Sequence, residues 1–489
     1  MGASVSFQPF VPTPLDHAMP PIYVSQFLCF PTTTPQSAIQ SLQVGIERLF
    51  ERLPFLAGEI LINEHTGAIK VQAPSALIRE IPYMALRAHP DLYLPAKQCA
   101  TTPIERQLKT NSLDESYHPL PAALPLSQPQ PVIRFQANTL ADGILFAVSY
   151  HHCIFDGTGC GQILEMLAQC CSASDDKISL PTDCHTDVLL REYISNLSPT
   201  TNIPHDYTQA YSTTVQPDPD ASDPDTSPAI PSSLYTEAFT FPSQQITTLR
   251  DACNHLLPKL PSTSNAHPHK PTPNPLSSND VLTALIALCI TRATNTTTPP
   301  LQPNNHSLSM AVNLRTRIQP QVPDHFLGNF ATLLPIHFTS PVHTQQSDLL
   351  LTTEPPDPAL IHLTTLASQI RSSLSTVNTD YICGLMTDLR TRRNAGENSS
   401  LLIEGIKISS WRHLSVYKPD FGPGLGKIAG FEFQAGLMDN LVVILPWRNG
   451  DWDVRVTLLE RDMRGFREDR LVRWALGSGT GPFSFVDIM

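Results

Sequence analysis

One stretch near the middle of the chain can contribute almost nothing to a hydrophobic core, and it constrains the fold more than any other feature. Residues 199–233 read PTTNIPHDYTQAYSTTVQPDPDASDPDTSPAIPSS, in which acidic residues alternate with proline and small side chains. Such a composition cannot bury enough apolar surface to offset the entropy lost on ordering. The sequence therefore predicts an N-terminal lobe over 1–205, a linker over 206–233 and a C-terminal lobe over 234–489.

Helical and strand patterns alternate in the N-terminal lobe. Apolar residues recur at helical spacing from Pro35 onward, and this helix leads into a strand that ends near Ile60. Two short runs rich in β-forming residues occupy 131–150, and the Asp142-Gly143 pair between them is a hairpin signal. A turn containing several glycines and a second amphipathic helix are predicted to follow.

The C-terminal lobe shows the same alternation. Its predicted helices and strands are Tyr235–Phe241, a helix capped by Ser243 and running through Cys253, Asn279–Arg292, Leu441–Pro446, Trp452–Leu458 and a closing helix over Met463–Leu476. Alternating helices and strands on both sides of one linker predict two α/β lobes of similar size.

The charge balance limits the partners that the chain can bind. It has 489 residues, of which 32 are Lys or Arg and 44 are Asp or Glu, so the formal net charge is −12. An acidic chain without a basic run is unsuited to nucleic acid or an anionic membrane surface. The longest apolar stretch, Val281–Ile290, falls short of the ~20 residues that span a bilayer, and the first residues lack a secretory signal pattern. We expect a cytoplasmic protein with no nucleic-acid or membrane partner.

The ten cysteines are scattered along the chain. None forms a C-x-x-C pair or stands at zinc-ligand spacing with a histidine. We therefore expect buried free thiols and no metal site.

The heptapeptide HHCIFDG at residues 151–157 is the strongest candidate for catalytic chemistry. It follows directly on an apolar strand, so a rigid scaffold would hold its side chains at the edge of a cleft. A histidine there can take a proton from a hydroxyl and return it to a leaving group at neutral pH. Asp156, four residues after His152, can fix the loop that presents the base. Because the pattern is short, a satisfied pair of histidines at a strand end is the alternative interpretation.

Two further segments carry weaker signals. The run NLRTR at residues 313–317 places two arginines on one face of an extended segment, where they could pair with a carboxylate or a phosphate. An exposed basic strand edge is the alternative. In DFGPG at 420–424, the Asp420 side chain can hold a tight turn by hydrogen bonds to the backbone. A protein-kinase interpretation of D-F-G fails, because the sequence has no H-R-D loop and no glycine-rich loop followed by a V-A-I-K-type lysine.

Taken in order along the chain, these motifs resemble those of the BAHD family of acyl-CoA-dependent acyltransferases, in particular its fungal members. The matching segments extend over nearly the whole chain, in the family's order and near its spacing, and they are PLDHAMPP, IERLFERLPFLAGEI, HHCIFDGTG, SSNDVLTALI, AVNLRTRIQPQVPDHFLGNF, SSWRHLSVYKPDFGPG and VTLLERDMRGFREDRLV. An ordered set of this length is far more specific than any one short pattern.

The resemblance implies an α/β fold of two chloramphenicol-acetyltransferase-like domains, each with a mixed sheet, and a channel between them. It implies acyl-CoA as co-substrate, with acetyl-CoA as the expected donor, and no permanently bound cofactor. The acceptor would be a hydroxyl or an amine of a small secondary metabolite, acylated in a ternary complex without an acyl-enzyme. His152 matches the general base. Family members are mostly monomeric, so a monomer is expected.

Further positions acquire roles through the same resemblance. Asp156 matches a structural aspartate that turns away from the cleft and pairs with Arg315. Trp411 matches a position whose indole N–H would steady the oxyanion. Ser277 and Ser278 open a helix whose N-terminus would bind coenzyme A phosphates, and a plain N-cap is the equal alternative. The other motif positions, expected to support the site, are His151, Gly157, Asn329, Asp420, Gly422 and Gly424.

Two other functions stay open on the sequence. Condensation domains of peptide synthetases share H-H-x-x-x-D-G and a two-lobed shape, and they take the acyl group from a carrier protein. A relative that only binds its ligand is the second alternative. The late DFGPG and the NLRTR segment favour the BAHD family, and the intact His152 and Asp156 favour an enzyme. Pro423 stands where plant members have tryptophan, which leaves the role of that loop open.

Overall fold

The computed structural model of the chain describes residues 7–478 except for 8–9, 64–65, 96–107, 110, 112, 126–127, 173–181, 201–204, 215–233, 261–273, 298–305 and 340–356. The helices are α1 (Pro14–Ala18), α2 (Pro35–Arg52), α3 (Ala76–Glu80), α4 (Gly157–Ser172), α5 (Cys184–Ser195), α6 (Ser243–Leu256), α7 (Ser278–Thr297), α8 (Pro358–Thr376), α9 (Thr379–Asn394), α10 (Glu460–Glu468) and α11 (Arg470–Ala475). The strands are β1 (Tyr23–Pro31), β2 (Glu59–Ile62), β3 (Ile69–Gln72), β4 (Met84–His89), β5 (Gln130–Pro131), β6 (Ile133–Leu140), β7 (Gly143–His151), β8 (Tyr211–Thr214), β9 (Leu234–Phe241), β10 (His306–Asn313), β11 (Ala331–Phe338), β12 (Asn398–Leu401), β13 (Ile406–Ser410), β14 (Gly430–Phe433), β15 (Leu441–Ile444) and β16 (Trp452–Leu459).

A five-stranded mixed sheet forms the centre of the N-terminal lobe, in the order β14-β1-β7-β6-β4. Strand β1 pairs antiparallel with β7 along its whole length, so that Tyr23 lies opposite His151. Strands β6 and β7 form the predicted hairpin, while β4 runs parallel to β6. The apolar faces of α2 and α4, including Leu42 and Leu167, are buried in one cluster with Phe135 of β6. The strand that carries the histidine motif is therefore central to a packed sheet.

A six-stranded mixed sheet forms the centre of the C-terminal lobe, in the order β11-β10-β13-β15-β16-β9. Strand β13 is parallel to both β10 and β15, and the other pairs are antiparallel. The apolar run Val281–Ile290 lies inside α7 and is buried along its entire length, as expected of a helix that is apolar all round. Two lobes that each combine helices with a mixed sheet confirm the predicted fold class. Within the described ranges, no helix combines the length and hydropathy needed to cross a bilayer.

One strand of the C-terminal half is built into the sheet of the N-terminal lobe. Strand β14 pairs antiparallel with β1, with Phe431 opposite Leu28. The Phe421 ring, a few residues earlier, packs edge-on against Phe30 at 4.9 Å between ring centroids. Within β14, Glu432 forms a buried ion pair with Arg455 of β16. The lobes are thus interlocked, and the linker boundaries at 206 and 233 stay a prediction.

The structure corrects our expectation that residues 199–233 hold almost nothing that packs. Tyr207 and Tyr211 are buried, and β8 pairs antiparallel with β12. The two phenol groups find polar partners that the sequence does not reveal, since Tyr207 donates to the Tyr381 carbonyl and Tyr211 shares a hydrogen bond with Thr332. Residues 215–233 of the predicted linker lie outside the described ranges.

Two helix boundaries also differ from the prediction. The closing helix is two helices, α10 and α11, because Asp469 is extended and its carboxylate accepts from the N–H groups of Leu471 and Val472 as an N-cap. Ser243 is the first residue of α6 and does not cap it, since Pro242 takes the cap position. The nine described cysteines are free thiols and most are buried, as predicted, while Cys99 lies outside the described ranges.

We predicted that the glycines after the histidine motif lie in a loop turn. The structure places them instead at the start of helix α4. A side chain at Gly159 would place Cβ 2.0 Å from the main-chain oxygen of Leu327, whereas one at Gly161 would meet the side chain of Leu414 at 3.3 Å. Gly159 is thus required for the close approach of α4 to the segment that precedes β11.

Gly159→Ala is expected to lower the free energy of unfolding by about 1–3 kcal/mol. The main chain of Leu327 cannot move out of the way of the added methyl group as a flexible side chain can. Gly161→Ala is the matched control, and we expect a much smaller change because the Leu414 side chain can move. Chemical denaturation of both variants measures the difference. Equal stability of the two variants would contradict the close packing at Gly159.

Candidate active site

The histidine motif is held at the end of β7 by main-chain contacts on both sides. The N–H of His152 donates to the carbonyl of Ile22 at 2.8 Å. The carbonyl of His152 accepts from Nδ2 of Asn329 at 2.9 Å. One contact comes from the segment before β1 and the other from the segment before β11, so both lobes fix the backbone of this residue.

The two neighbouring histidines have different surroundings. His151 is fully buried, its Nδ1 accepts from the N–H of Cys153 at 3.3 Å, and its ring stands edge-on to Tyr23. Burial, reinforced by the neighbouring His152, lowers the pKa of His151 to about 3. A ring that stays neutral and packed inside the sheet serves the structure, which leaves His152 as the candidate base.

His152 is only half-buried, although its Nδ1 is enclosed and has no hydrogen-bond partner among the described residues. Burial lowers the pKa of His152, while its own carbonyl, the Asp156 charge and Asn329 act in the opposite direction. The net lowering keeps the imidazole neutral at physiological pH, which is the form that accepts a proton.

Asp156 turns away from His152 and forms a buried ion pair with Arg315, which confirms the predicted contact. Nη1 of Arg315 donates to Oδ2 at 2.8 Å and Nη2 donates to Oδ1 at 3.2 Å. The same carboxylate accepts from the N–H of Gly159 at 2.8 Å and from that of Phe330 at 2.9 Å. Burial would raise the pKa of Asp156, but the Arg315 charge and these hydrogen bonds outweigh it and lower the pKa.

Arg315 makes further hydrogen bonds within the C-terminal lobe. Its Nη2 also donates to the carbonyls of Phe326 and Gly328 at 3.0 and 2.9 Å. Arg315 and Arg317 lie in a turn after β10, and Arg317 donates instead to the carbonyl of Leu374. The two arginines therefore do not share one face of an extended segment, and among the described residues Arg315 forms an ion pair with a carboxylate whereas Arg317 does not.

A buried network around Asn329 was missed by our sequence analysis. Asn329 donates to Asp16 from its main-chain N–H at 3.0 Å and from Nδ2 at 2.8 Å. Asp16 in turn accepts from Nη1 of Arg191 at 2.9 Å. The available signal was Asp16 in PLDHAMPP, which we matched to the family without giving the residue a role.

Trp411 lies beside the start of α4. A side chain at Gly157 would meet the indole ring at 3.0 Å, so this glycine makes room for it. The indole N–H donates to the hydroxyl of Ser409 at 2.9 Å. That donor therefore already has an acceptor in the structure, and its oxyanion role stays a prediction.

The DFGPG loop forms the tight turn that the sequence predicts. The N–H of Gly422 donates to Oδ1 of Asp420 at 2.9 Å, and Gly422 and Gly424 have φ values of 85° and 89°. Such left-handed backbone favours glycine. The loop packs through Phe421 against β1, which supports the wall of the N-terminal lobe rather than the histidine.

Ser277 is the N-cap of α7. Its hydroxyl accepts from the N–H of Asp280 at 3.2 Å, and its own N–H donates to the Asp280 carboxylate at 2.7 Å. The N-cap interpretation is confirmed by these bonds. Asp280 also accepts from Nε of Arg371 at 2.8 Å. Coenzyme A binding by Ser277 and Ser278 stays a prediction.

A cavity of about 240 Å³ opens beside the first turns of α4. Its polar lining includes Thr158, Glu165, Asp324 and His413. Thr158 accepts from Nδ2 of Asn313 at 3.3 Å, so its own hydrogen is available to Nε2 of His413, 3.2 Å away.

Among the residues that the structure describes, no group of three His, Cys, Asp or Glu side chains is placed to hold a metal ion.

Comparisons with known proteins agree on one family. The Transferase family matches residues 106–471, and the trichothecene 3-O-acetyltransferase-like N-terminal domain matches residues 22–171. Fumigaclavine B O-acetyltransferase of Aspergillus fumigatus is 35% identical, with 97% of this chain and 99% of that protein covered. Communesin N16 acyltransferase of Penicillium expansum is 34% identical at the same coverage of both chains.

Solved structures show the same fold. TRI101 of F. graminearum, complexed with coenzyme A and deoxynivalenol, aligns with a TM-score of 0.69 at 18% identity over 95% of this chain and 98% of that one. Vinorine synthase aligns with a TM-score of 0.62 at 18% identity over 95% of this chain and 93% of that one. These likenesses extend over both lobes.

Because the pKa of His151 is about 3 in the folded chain and about 6.5 when unfolded, the unfolded state binds more protons between those values. The stability contributed by neutral His151 is therefore complete above about pH 6.5 and is lost as the pH falls toward 3. In His151→Asn, the amide oxygen can still accept from Cys153. We expect its melting temperature to fall less between pH 7 and pH 5 than that of the wild type.

Thermal unfolding across that pH range makes this comparison. His185→Asn, at an exposed position of α5, controls for the loss of one histidine. The same slope in His151→Asn and the wild type would show that folding does not lower the pKa of His151.

Proposed function

This chain belongs to the Transferase family of BAHD-type, acyl-CoA-dependent O-acyltransferases, and on that premise we propose that His152 is the general base of its acyl transfer. The observation that carries the proposal is the placement of His152. It follows a central strand, its backbone is fixed from both lobes, and its lowered pKa keeps the ring neutral. His151 lacks this placement because it is enclosed within the sheet.

The substrates of the reaction are proposed from the relatives. The donor is acyl-CoA, in the first instance acetyl-CoA, because the curated relatives include several fungal O-acetyltransferases. The acceptor is a hydroxyl of a small secondary metabolite, and fumigaclavine B, after which two of the relatives are named, is the first to test. The relative named as an N16 acyltransferase makes an amine acceptor the second candidate.

The reaction proceeds in a ternary complex without an acyl-enzyme. Neutral His152 takes the proton from the acceptor hydroxyl, and Nε2 is the nitrogen that does so because Nδ1 is enclosed. The acceptor oxygen attacks the thioester carbonyl and forms a tetrahedral oxyanion. Collapse of that intermediate breaks the C–S bond, and the protonated imidazole gives its proton to the coenzyme A thiolate. The products are the ester and free coenzyme A, and His152 ends neutral as it began.

Asp156 serves this chemistry by shaping the loop. Its carboxylate accepts four hydrogen bonds, from Gly159, Phe330 and Arg315 and not from His152, so it neither receives nor donates the transferred proton. Trp411 takes no part in the proposed steps, because its N–H is already donated to Ser409. The enzyme is proposed to act as a monomer, since the interlocked lobes supply every residue named here.

His152→Ala is expected to lower kcat by about 10²–10⁴-fold, the usual contribution of a general base. Acyl-CoA binding should persist, because the side chain acts on the acceptor proton. Release of coenzyme A thiol from acetyl-CoA measures turnover, with fumigaclavine B as acceptor and with water alone. Turnover near the wild-type rate in His152→Ala would overturn the mechanism, and the exposed His185→Ala is the matched control.

Acetyl-CoA is expected to raise the melting temperature of the purified protein with no carrier protein present. A ligand at 100 times its dissociation constant adds about 2.7 kcal/mol to stability. Longer acyl-CoAs and free coenzyme A, measured beside it, rank the acyl group. If no acyl-CoA shifts the transition at millimolar concentration, a carrier-bound donor or a binding protein without turnover replaces the proposed function.

A further inference from the structure

A buried carboxylate near the N-terminus reaches the backbone of His152 through one intermediate side chain. Asp16 in α1 is completely buried. Its Oδ2 accepts from the N–H and the hydroxyl of Thr13 at 2.8 and 3.1 Å and from Nη1 of Arg191 at 2.9 Å. Its Oδ1 accepts twice from Asn329. All five groups are donors and favour the ionised carboxylate, whereas complete burial acts in the opposite direction and raises the pKa of Asp16.

The orientation of the Asn329 side chain depends on that carboxylate. Nδ2 of Asn329 has two hydrogens, and it donates one to Asp16 at 2.8 Å and the other to the carbonyl of His152 at 2.9 Å. A flipped amide would turn Oδ1 toward two oxygen acceptors, which is repulsive. In the observed orientation, Oδ1 is buried without a partner among the described residues. The amide therefore makes two hydrogen bonds from its nitrogen while its oxygen has none within the described ranges.

Arg191 holds Asp16 in place from a third element. It is almost completely buried in α5, and its guanidinium lies 3.7 Å from the centre of the Phe10 ring. Its Nε donates to Asp187 at 2.6 Å, while Nη1 donates to Asp16. One arginine thus binds two buried carboxylates, of which only Asp16 touches Asn329.

We propose that Asp16, held by Arg191, is a positioning residue for acyl transfer, because it fixes the Asn329 amide in the orientation that donates to the His152 carbonyl. The inference rests on the proposed function, in which His152 is the base. The chain of contacts runs from α5 through α1 and the segment before β11 to the residue after β7. These contacts act on the position of the His152 imidazole.

Asp16→Asn tests this with an isosteric change. A neutral amide can offer its NH₂ group to Asn329, which then flips and presents its oxygen to the His152 carbonyl. We expect kcat to fall by about 10²-fold, the cost of a misplaced reacting group, with KM for acetyl-CoA unchanged. The assay is the release of coenzyme A thiol from acetyl-CoA, with fumigaclavine B as acceptor and with water alone.

Asp187→Asn is the matched control. It removes the other buried carboxylate from Arg191 and does not touch Asn329. Both variants are expected to lower the melting temperature, but only Asp16→Asn is expected to lower kcat. Equal kcat in the two variants would overturn the positioning role and leave Asp16 as a structural residue.

Asn329→Ala keeps the inference testable if Asp16→Asn does not fold. It removes the amide donor and leaves the Arg191–Asp16 ion pair in place, so kcat should fall as in Asp16→Asn with KM for acetyl-CoA unchanged. In the double variant, the two losses should not multiply, because both act through one hydrogen bond. Wild-type kcat in Asn329→Ala, or multiplied losses in the double variant, would overturn the proposal.

His152→Ala in the same assay separates the two levels of inference. An inactive His152→Ala together with equal kcat in Asp16→Asn and Asp187→Asn removes the positioning role alone. An active His152→Ala removes the proposed base, and the positioning role is lost with it.

Discussion

The ion pair between Asp156 and Arg315 is the contact on which the rest of the site depends. One partner comes from each lobe, both are buried, and the carboxylate also accepts the N–H of Gly159 at the start of α4 and that of Phe330 before β11. A single charged group therefore fixes the end of the histidine loop, the start of a core helix and the approach of the C-terminal lobe. Losing one partner of such a pair leaves a buried charge unsatisfied, at a cost of about 3–5 kcal/mol.

Burial organises the chemistry through the same contacts. His151 and His152 are adjacent in sequence. His151 is the last residue of β7 and is buried within the sheet, whereas His152 follows the end of the strand and is only half-buried. Low polarity around both rings favours the neutral imidazole, and a neutral imidazole is what a base for a hydroxyl requires. Two identical side chains thereby acquire different roles, because the fold packs His151 inside the sheet and leaves His152 available for reaction.

Local patterns predicted local structure well where one periodicity dominated. The helix from Pro35, the hairpin at Asp142-Gly143 and the buried run inside α7 follow from spacing and turn residues alone. The predictions that failed depended on distant partners. Asp469 divides the closing helix because its carboxylate caps α11, and it is held there by Arg292. Tyr211 packs because Thr332, far along the chain, offers its phenol a hydrogen bond.

The sequence by itself determined the family, the two-lobed α/β class, the candidate base His152 and the pairing of Asp156 with Arg315, because ordered motifs keep their spacing along a chain. Only the tertiary structure decided that Arg191 binds Asp16, that Asp16 binds Asn329 and that Asn329 donates to the His152 carbonyl. The same is true of the hydrogen bond that the Trp411 N–H donates to Ser409. These contacts join residues up to 313 positions apart. Hydrogen-bond geometry between such residues is set by how the sheets and helices pack, and no local pattern records it.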